Sequence, residues 1–465
     1  MPKIKINGRE IEAEEGQTVL QTALANGIYI PHFCYHPHLP IAGNCRMCLV
    51  DIKPGPPKLS IACATTVADG MEIDTENEKV QAARQAVMEF ILKNHPLDCP
   101  ICDQAGECAL HEYYMKYDLQ PSRLLSAEEK ITKKKAQRLG KLVLDSERCI
   151  LCGRCVRFMR DVLKDERLVI VHRRDRAEIT TFPGQELDNP YSLCLADICP
   201  VGAWTAADFR FKQRVWFLTS SPSVCPMCSR GCNIWIDHRQ GEVFRIRPRP
   251  NEEINQSFIC DAGRLSYHAI NDGRLNSPLL NGKAASWPEA VKEAAKLIKS
   301  AGDKLIVIVS AGLSREEGRA LLELFEGQFK AKLYLHVGGP GEEDEFLRRS
   351  DLNANARGLS ELGLGDKLEG ALGEDAVAVL FETLCPHPLP EGVKPRLTIS
   401  PQVSEAVQGS AVALPAASYA ESRGTVVNFD GVEQSYERAL FPRGDSRPHL
   451  EIIEMLKKEL AGGRG

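Results

Sequence analysis

The sequence predicts an α+β fold divided into several domains, and three observations support this prediction. The chain has 465 residues, enough for about three or four domains of typical size. Sixteen of its 17 cysteines lie in the first 260 residues, in four groups separated by short strand and helix patterns. The last third instead alternates apolar strands with amphipathic helices, which indicates a parallel sheet.

The composition is that of a soluble globular protein, with 43% hydrophobic and 26% charged residues. A net charge of only -5 gives no indication of nucleic-acid binding. No apolar stretch approaches the length of about 18 residues that a transmembrane helix needs, and the N-terminus lacks the pattern of a signal peptide. We therefore expect a cytoplasmic or similarly reducing compartment, in which clustered cysteines bind metal rather than form disulfides.

The first cysteine group follows a predicted helix over 18–26 that has Thr18 as its N-cap. Its spacing is C-x10-C-x2-C-x14-C, and its members are Cys34, Cys45, Cys48 and Cys63. Three thiolates from one loop and a fourth from a distant strand are typical of a plant-type [2Fe–2S] site. A zinc site is the alternative, because C-x2-C is also a zinc-binding spacing. The flanking His32, His36 and His38 are expected to lie outside the ligand set.

The second group follows a predicted amphipathic helix over 79–93 and contains only three cysteines. Its spacing is H-x3-C-x2-C-x5-C, and the candidate ligands are His95, Cys99, Cys102 and Cys108. A [4Fe–4S] cluster takes four ligands, so we expect His95 to be the fourth. Exchanging a thiolate for a neutral imidazole removes negative charge and raises the reduction potential, as it does in Rieske centres.

Two segments together resemble a known family. IPHFCYHPHLPIAGNCRMCLVDI (residues 30–52) and HPLDCPICDQAGEC (residues 95–108) are similar to the large iron–sulfur subunit of bacterial NADH:quinone oxidoreductase, respiratory complex I. The same modules occur in soluble NAD-reducing hydrogenases, iron-only hydrogenases and NAD-linked formate dehydrogenases, so the remaining groups must discriminate. His111 departs from the Gln that is often found there, with no expected effect on ligation.

The third group follows a basic segment, residues 131–148, that is predicted to be helical. Its C-x2-C-x2-C spacing needs one further ligand, and the predicted set is Cys149, Cys152, Cys155 and Cys199. Cys199 is preferred to Cys194 because Pro200 follows it, as at the end of bacterial ferredoxin runs. Cys194 is expected to be a buried thiol outside the set. The spacing is not duplicated, which argues against an iron-only hydrogenase.

The fourth group has the spacing C-x2-C-x3-C followed by a distant cysteine, and its members are Cys225, Cys228, Cys232 and Cys260. This pattern resembles the N-terminal [4Fe–4S] module of molybdopterin oxidoreductases, with zinc as the alternative. Once the four groups are assigned, only Cys194 and Cys385 are left.

The C-terminal third is predicted to be a parallel α/β sheet. Strands are expected within 303–312, 331–339, 374–384 and 394–401, with a helix over 314–329. Residues 412–434 resemble the part of the molybdopterin fold that frames the pterin cavity. An active molybdenum enzyme is not expected, because the whole C-terminal segment (276–465) is shorter than the pterin-binding part of such enzymes and Ala262 stands where they often carry Lys. Cys385, the one candidate cysteine for the metal, is interpreted as a core thiol.

These assignments give a predicted architecture of five parts. They are a β-grasp [2Fe–2S] ferredoxin-like domain (1–78), a His/Cys3 [4Fe–4S] module (79–118), a [4Fe–4S] ferredoxin-like domain (119–217), a molybdopterin-oxidoreductase-type [4Fe–4S] domain (218–275) and a truncated, degenerate molybdopterin-oxidoreductase-like α/β domain (276–465). The expected cofactors are one [2Fe–2S] and three [4Fe–4S] clusters, without molybdopterin.

The resemblance implies an electron-transfer subunit of NADH:quinone oxidoreductase without an active site of its own. Electrons would arrive from a flavin-bearing, NADH-oxidising subunit and leave toward the quinone site. The chain would lie on the cytoplasmic face of the plasma membrane, attached through other hydrophilic-arm subunits. The alternatives are a diaphorase accessory subunit of a soluble NAD-linked hydrogenase or formate dehydrogenase, and a non-redox interaction scaffold.

Overall fold

The structure is a computed structural model that describes residues 1–118, 121–123, 131, 136–172, 174–366, 368 and 376–462. It divides into two compact units, Met1–Trp216 and Phe217–Gly465.

The first unit contains short strands and helices. Its strands are β1 (Lys3–Ile6), β2 (Arg9–Glu12), β3 (Leu49–Lys53), β4 (Ser60–Ile61), β5 (Glu72–Asp74), β6 (Gln137–Leu139), β7 (Leu142–Leu144), β8 (Leu168–Val171), β9 (Glu178–Thr181) and β10 (Trp204–Ala206). Its helices are α1 (Val19–Ala25), α2 (Glu78–Leu92), α3 (Ala109–Tyr117), α4 (Arg154–Arg157), continued as a π-helix over Phe158–Val162, and α5 (Cys194–Ile198). Short 3-10 helices lie at Cys99–Ile101, Ser146–Arg148, Arg174–Arg176 and Val215–Phe217.

The N-terminal sheet has the strand order β2-β1-β5-β3-β4, in which β1 and β5 are parallel and the other pairs antiparallel. Alternate residues such as Ile4 and Ile6 point into its core. The predicted helix over 18–26 is confirmed as α1. Thr18 is its N-cap, as predicted, and forms a capping box with Gln21. The predicted helix over 79–93 is confirmed as α2.

The prediction of a helix over 131–148 is wrong for the part that the structure describes. Residues 132–135 lie outside the described residues, and β6 and β7 form an antiparallel hairpin that pairs with β10 in the order β10-β7-β6. Leu142 and Leu144 are fully buried on one face, which is strand periodicity. Gly140 has φ +62° at the turn, a conformation that glycine adopts without strain. The sequence analysis missed this alternation of buried and exposed residues because the many basic residues of the segment suggested a helix.

The second unit combines a small antiparallel sheet with a larger mixed one. Its strands are β11 (Thr219–Val224), β12 (Asn233–Arg239), β13 (Glu242–Pro248), β14 (Leu279–Leu280), β15 (Lys283–Ala284), β16 (Leu305–Ser310), β17 (Lys332–His336), β18 (Val377–Phe381), β19 (Leu397–Ser400), β20 (Val412–Pro415), β21 (Gly424–Val427) and β22 (Glu433–Tyr436). Its helices are α6 (Asp261–Leu265), α7 (Tyr267–Asn271), α8 (Trp287–Ala301), α9 (Arg315–Leu321), continued as a π-helix over Leu322–Gln328, α10 (Ala356–Ser360), α11 (Glu405–Gly409) and α12 (His449–Gly462). Short 3-10 helices lie at Gly302–Lys304 and Tyr419–Glu421.

The larger sheet confirms the predicted parallel α/β arrangement. Its order is β15-β14-β20-β19-β18-β16-β17, and every neighbouring pair from β20 to β17 is parallel. These strands are apolar and largely buried, as expected for a parallel sheet covered on its faces. Helices α8 and α9 begin at capping boxes formed by Ser286 and Ser314. The smaller sheet, ordered β11-β12-β13, carries the fourth cysteine group.

Candidate metal centres

All 17 cysteines lie within the described residues, and none is joined in a disulfide. All of them except Cys194 and Cys385 belong to the four groups that the spacing predicts.

The first group lies in the long loop between α1 and β3 and in the chain just after β4. Hydrogen bonds from the side chains of Cys45 and Cys63 lower the pKa of Cys34, and a hydrogen bond from Cys63 lowers the pKa of Cys48. Cys34, Cys48 and Cys63 are each at most 1% exposed. Gly43, at φ +62°, turns the loop just before Cys45. All four predicted members are therefore brought together.

The second group lies between α2 and α3. Burial raises the pKa of Cys108 to about 11, and the nearby thiols of Cys102 and Cys99 raise it further. Cys108 is the N-cap residue of α3, so its position is set by the start of that helix. The three predicted cysteines of this group lie close enough to interact electrostatically.

His95 lies at the end of the turn that follows α2 and is 9% exposed. Its neighbour Asp98 has a lowered pKa, chiefly through its hydrogen bonds from Arg148, with a smaller electrostatic contribution from His95. His95 is therefore buried in the correct segment, and its role as the fourth ligand stays a prediction.

The third group surrounds the start of α4. Burial raises the pKa of Cys155 well above the usual value, and the thiols of Cys152, Cys149 and Cys199 add to the shift. Gly153, at φ +70°, lets the chain turn into α4 between Cys152 and Cys155. The four predicted members are close to one another.

The second and third groups share a main-chain hydrogen bond. The N–H of Ala109, next to Cys108, donates to the carbonyl of Pro200, next to Cys199, at 2.9 Å. This bond connects a residue adjoining a candidate ligand of one group to a residue adjoining a candidate ligand of the other.

One buried core contains members of all three groups of the first unit. This core also contains Phe33, Met47, Met88 and Tyr113, which are apolar or aromatic and nearly inaccessible to water. The cysteines within it or packed against it are Cys34, Cys45, Cys108, Cys149, Cys152 and Cys199. Members of all three groups thus lie in or against one buried core from which water is largely excluded.

The fourth group belongs to the second unit. Cys225 follows β11, Cys232 precedes β12, and Cys260 caps α6, where its Sγ accepts from the N–H of Gly263 at 3.3 Å. Burial raises the pKa of Cys232 well above the usual value, with further contributions from Cys225, Cys228 and Cys260. All four predicted members converge here.

The two remaining cysteines differ in position. Cys194, the first residue of α5, is fully buried. Cys385 is only partly buried against the core of the fourth group and adopts φ +56°. The charge of its thiol adds to the raised pKa of Cys225, which results first from burial. Cys385 therefore lies beside the fourth group, which its isolated place in the sequence did not indicate.

The donor set fits iron–sulfur clusters. Main-chain N–H groups point at sulfur, as for Leu151 N to Cys149 Sγ at 3.4 Å, and such hydrogen bonds stabilise anionic cluster sulfur. Within the described part of the chain, no three His, Cys, Asp or Glu side chains are arranged to hold a single metal ion.

Arginines near the candidate ligands were missed by the sequence analysis. Arg148 donates to Asp98 at 2.6 and 2.8 Å, and Arg214 donates to the carbonyls of Cys102 and Pro100 at 2.6 and 2.8 Å. Two other arginines, Arg154 and Arg157, donate to main-chain carbonyls of both the first and the third group. The sequence contained a signal for them, because Arg154 directly precedes Cys155 and Arg157 follows it by two residues.

Family models match most of the chain in consecutive parts. They are the 2Fe-2S iron-sulfur cluster binding domain (residues 2–78), the NADH-ubiquinone oxidoreductase-G iron-sulfur binding region (84–123), the NADH-quinone oxidoreductase subunit 3 ferredoxin-like domain (140–205), the NADH-ubiquinone oxidoreductase NDSU1/NuoG-like 4Fe-4S domain (218–268) and molybdopterin oxidoreductase (397–459). The G subunit of NADH-quinone oxidoreductase from Rickettsia conorii is 43% identical over 328 residues, 70% of this chain and 48% of that protein. The chain belongs to the family of this large iron–sulfur subunit. The predicted fold class, with a [2Fe–2S] domain, [4Fe–4S] ferredoxin-like domains and a partial molybdopterin-oxidoreductase domain, is confirmed.

Other members of the family show the same extent of similarity. The G subunit of NADH-quinone oxidoreductase from Streptomyces coelicolor is 35% identical over 399 residues, 81% of this chain and 46% of that protein. The 75 kDa subunit of NADH-ubiquinone oxidoreductase from Reclinomonas americana is 36% identical over 76% of this chain and 53% of that protein. The chain thus spans about half the length of the curated relatives it matches.

One solved structure, an NAD+-reducing [NiFe]-hydrogenase in the H2-reduced state, is similar at a TM-score of 0.41 and 28% identity, over 46% of this chain and 91% of the hydrogenase chain. None of the helices formed by the described residues has the length and apolar character needed to cross a bilayer.

Proposed function

We propose that this member of the large iron–sulfur subunit family relays electrons within NADH:quinone oxidoreductase. Electrons are received from a flavin-bearing subunit that oxidises NADH and are passed toward the subunit that reduces quinone. The chain itself oxidises no substrate, and it attaches to the cytoplasmic face of the membrane through other subunits of the hydrophilic arm.

The proposed cofactors are one [2Fe–2S] and three [4Fe–4S] clusters, without molybdopterin. The proposed ligands, in order of the groups, are Cys34, Cys45, Cys48 and Cys63; His95, Cys99, Cys102 and Cys108; Cys149, Cys152, Cys155 and Cys199; and Cys225, Cys228, Cys232 and Cys260. The convergence of these cysteines in four separate places supports the assignment.

The observation that carries the proposal is the common buried core of the first three groups. Electron tunnelling slows steeply with distance, so a relay needs its sites to be close neighbours. The hydrogen bond from Ala109 N to Pro200 O supplies a short route between the second and third groups. A protein that used its metals only for stability would not need to place three of them in one core.

Iron–sulfur clusters, when bound, gain and lose single electrons. The residues of the chain prepare the sites for this chemistry. In the third group, burial raises the pKa of Cys152 to about 11, so this thiol keeps its proton until metal displaces it. Burial also excludes water from the sulfurs, and main-chain N–H groups stabilise the negative charge that remains on them.

The second unit has a different part in this proposal. The family model for molybdopterin oxidoreductases matches this unit over residues 397–459, and Ala262 stands where a lysine often lies in active molybdenum enzymes. We assign it as a scaffold that buries the fourth site and offers surface to other subunits.

An anaerobic reduction experiment tests the proposal. The full chain, purified with its clusters, is mixed with NADH alone and then with NADH plus the flavin-bearing subunit from the same organism. We expect its visible absorbance to stay unchanged in the first mixture and to bleach in the second. Clusters that dithionite reduces but NADH and the flavin subunit together do not would contradict the proposed electron donor.

A further inference from the structure

Arg157 joins the loop of the first cysteine group to the third group. Its side chain is 8% exposed although it carries a guanidinium. Nη2 donates to the carbonyl of Cys34 at 2.5 Å and to that of Cys152 at 3.4 Å, and Nη1 donates to the carbonyl of Pro40. One cation therefore contacts the main chain at a candidate ligand of each group.

Arg154 repeats this arrangement one turn earlier. Its Nη2 donates to the carbonyl of Tyr35, next to Cys34, and its Nη1 donates to the carbonyl of Ile198, next to Cys199, at 3.1 Å. Two guanidinium groups thus lie between the same two sites.

The charge of Arg157 is retained in this buried position. A guanidinium stays protonated in proteins, and its acceptors at Cys34, Cys152 and Pro40 are carbonyl oxygens, which carry no net charge to cancel it. In a medium of low dielectric constant, such a charge acts strongly on groups a few ångströms away.

We propose that Arg157, supported by Arg154, is a positioning residue that raises the reduction potentials of the clusters at the first and third sites together. Reduction adds one electron to a cluster, and a nearby fixed positive charge stabilises the reduced form. Because the same cation serves both sites, it lifts both potentials without opening a large gap between them, which favours transfer in either direction. This inference rests on the proposed function.

The test is a redox titration of the full chain, followed by low-temperature EPR, with Arg157→Gln beside the wild type. We expect the equilibrium constants for reduction at the first and third sites each to fall about tenfold, a shift of about 59 mV for a one-electron couple. The potential of the second site should move much less. Arg157→Lys, which keeps the charge, should restore most of both shifts.

Arg214→Gln is the matched control, because Arg214 also donates to main-chain carbonyls of a candidate site, at Cys102 and Pro100. It should leave the first and third potentials unchanged. Potentials at those two sites that stay unmoved in Arg157→Gln, or shifts as large in Arg157→Lys as in Arg157→Gln, would overturn the inference.

Arg154→Gln decides the question if Arg157→Gln fails to retain both clusters. Lowered potentials at the first and third sites support the cationic bridge, and unchanged potentials refute it. A wild-type chain without cluster signals would instead refute the proposed function, so the two failures are distinguishable.

Discussion

Two glycines lie so close to candidate ligands that even a methyl group would collide with sulfur. A Cβ atom at Gly202 would be 2.8 Å from Cys102 Sγ, and one at Gly263 would be 3.0 Å from Cys225 Sγ. Neither glycine has a positive φ, so the requirement is for space rather than for backbone freedom. Both sites therefore need a residue without a side chain at these two positions.

At the same scale, His95 is the proposed ligand with the most direct mutational test. His95→Ala should abolish the signal of one [4Fe–4S] cluster, because three cysteines would remain of the four proposed ligands of the second group. The [2Fe–2S] signal should stay. Low-temperature EPR of the dithionite-reduced chain measures both signals.

His111→Ala serves as the control for His95→Ala. Its imidazole is outside the proposed ligand set, and the substitution keeps the main-chain N–H that donates to Cys108. Retention of every cluster signal in His95→Ala, or an equal loss in His111→Ala, would remove His95 from the ligand set.

Individual residues also show what sequence spacing can and cannot predict. The cysteine groups were predictable because most ligands of a cluster come from one short segment, so spacing encodes proximity. The bridging role of Arg157 was not, because its acceptor at Cys34 lies 123 residues away and only the fold brings the two together. The place of Cys385 beside Cys225 was not predictable either, because the two residues are far apart in the chain.

At the scale of elements, helices with strong caps and continuous apolar strands were predicted well. α1 has its capping box, and β16 and β18 are nearly continuous runs of apolar residues, as expected for strands of a buried parallel sheet. The β6–β7 hairpin was missed because its strands are very short and its basic residues suggested a solvated helix. The tertiary pairing with β10 decides the conformation there.

A buried ion pair connects separate elements of the second unit. Arg274, after α7, forms a forked pair with Glu421 at 2.6 and 3.1 Å, and the two side chains are 2% and 1% exposed. Arg274→Met leaves the carboxylate buried without its partner, so we expect the free energy of unfolding of this unit to fall by about 3–5 kcal/mol. Chemical denaturation of the full chain, followed by a signal from the second unit, measures the change.

Lys296→Met is the comparison for Arg274→Met. Lys296 pairs with Glu293 at 3.3 Å, but the side chains are 74% and 48% exposed, so the change should stay within about 0.5 kcal/mol. Equal effects of the two substitutions would mean that the buried pair contributes no more than a surface pair.

At the scale of the whole molecule, three cysteine groups in the first unit share one core and a fourth is built into the second unit. Stability alone does not require this concentration of thiols, since other members of these cores are ordinary apolar side chains. The arrangement is explained if the chain exists to hold redox centres near one another and away from water. The sequence predicted the groups from their spacing, and the structure added which of them share a core.

The most direct test of this account is iron analysis of the anaerobically purified full chain, with quantitative low-temperature EPR on the same sample. We predict about 14 iron atoms per chain, distributed over one [2Fe–2S] and three [4Fe–4S] signals. A chain that binds only a few zinc ions, or whose cysteines are joined in disulfides, would contradict the electron-relay account.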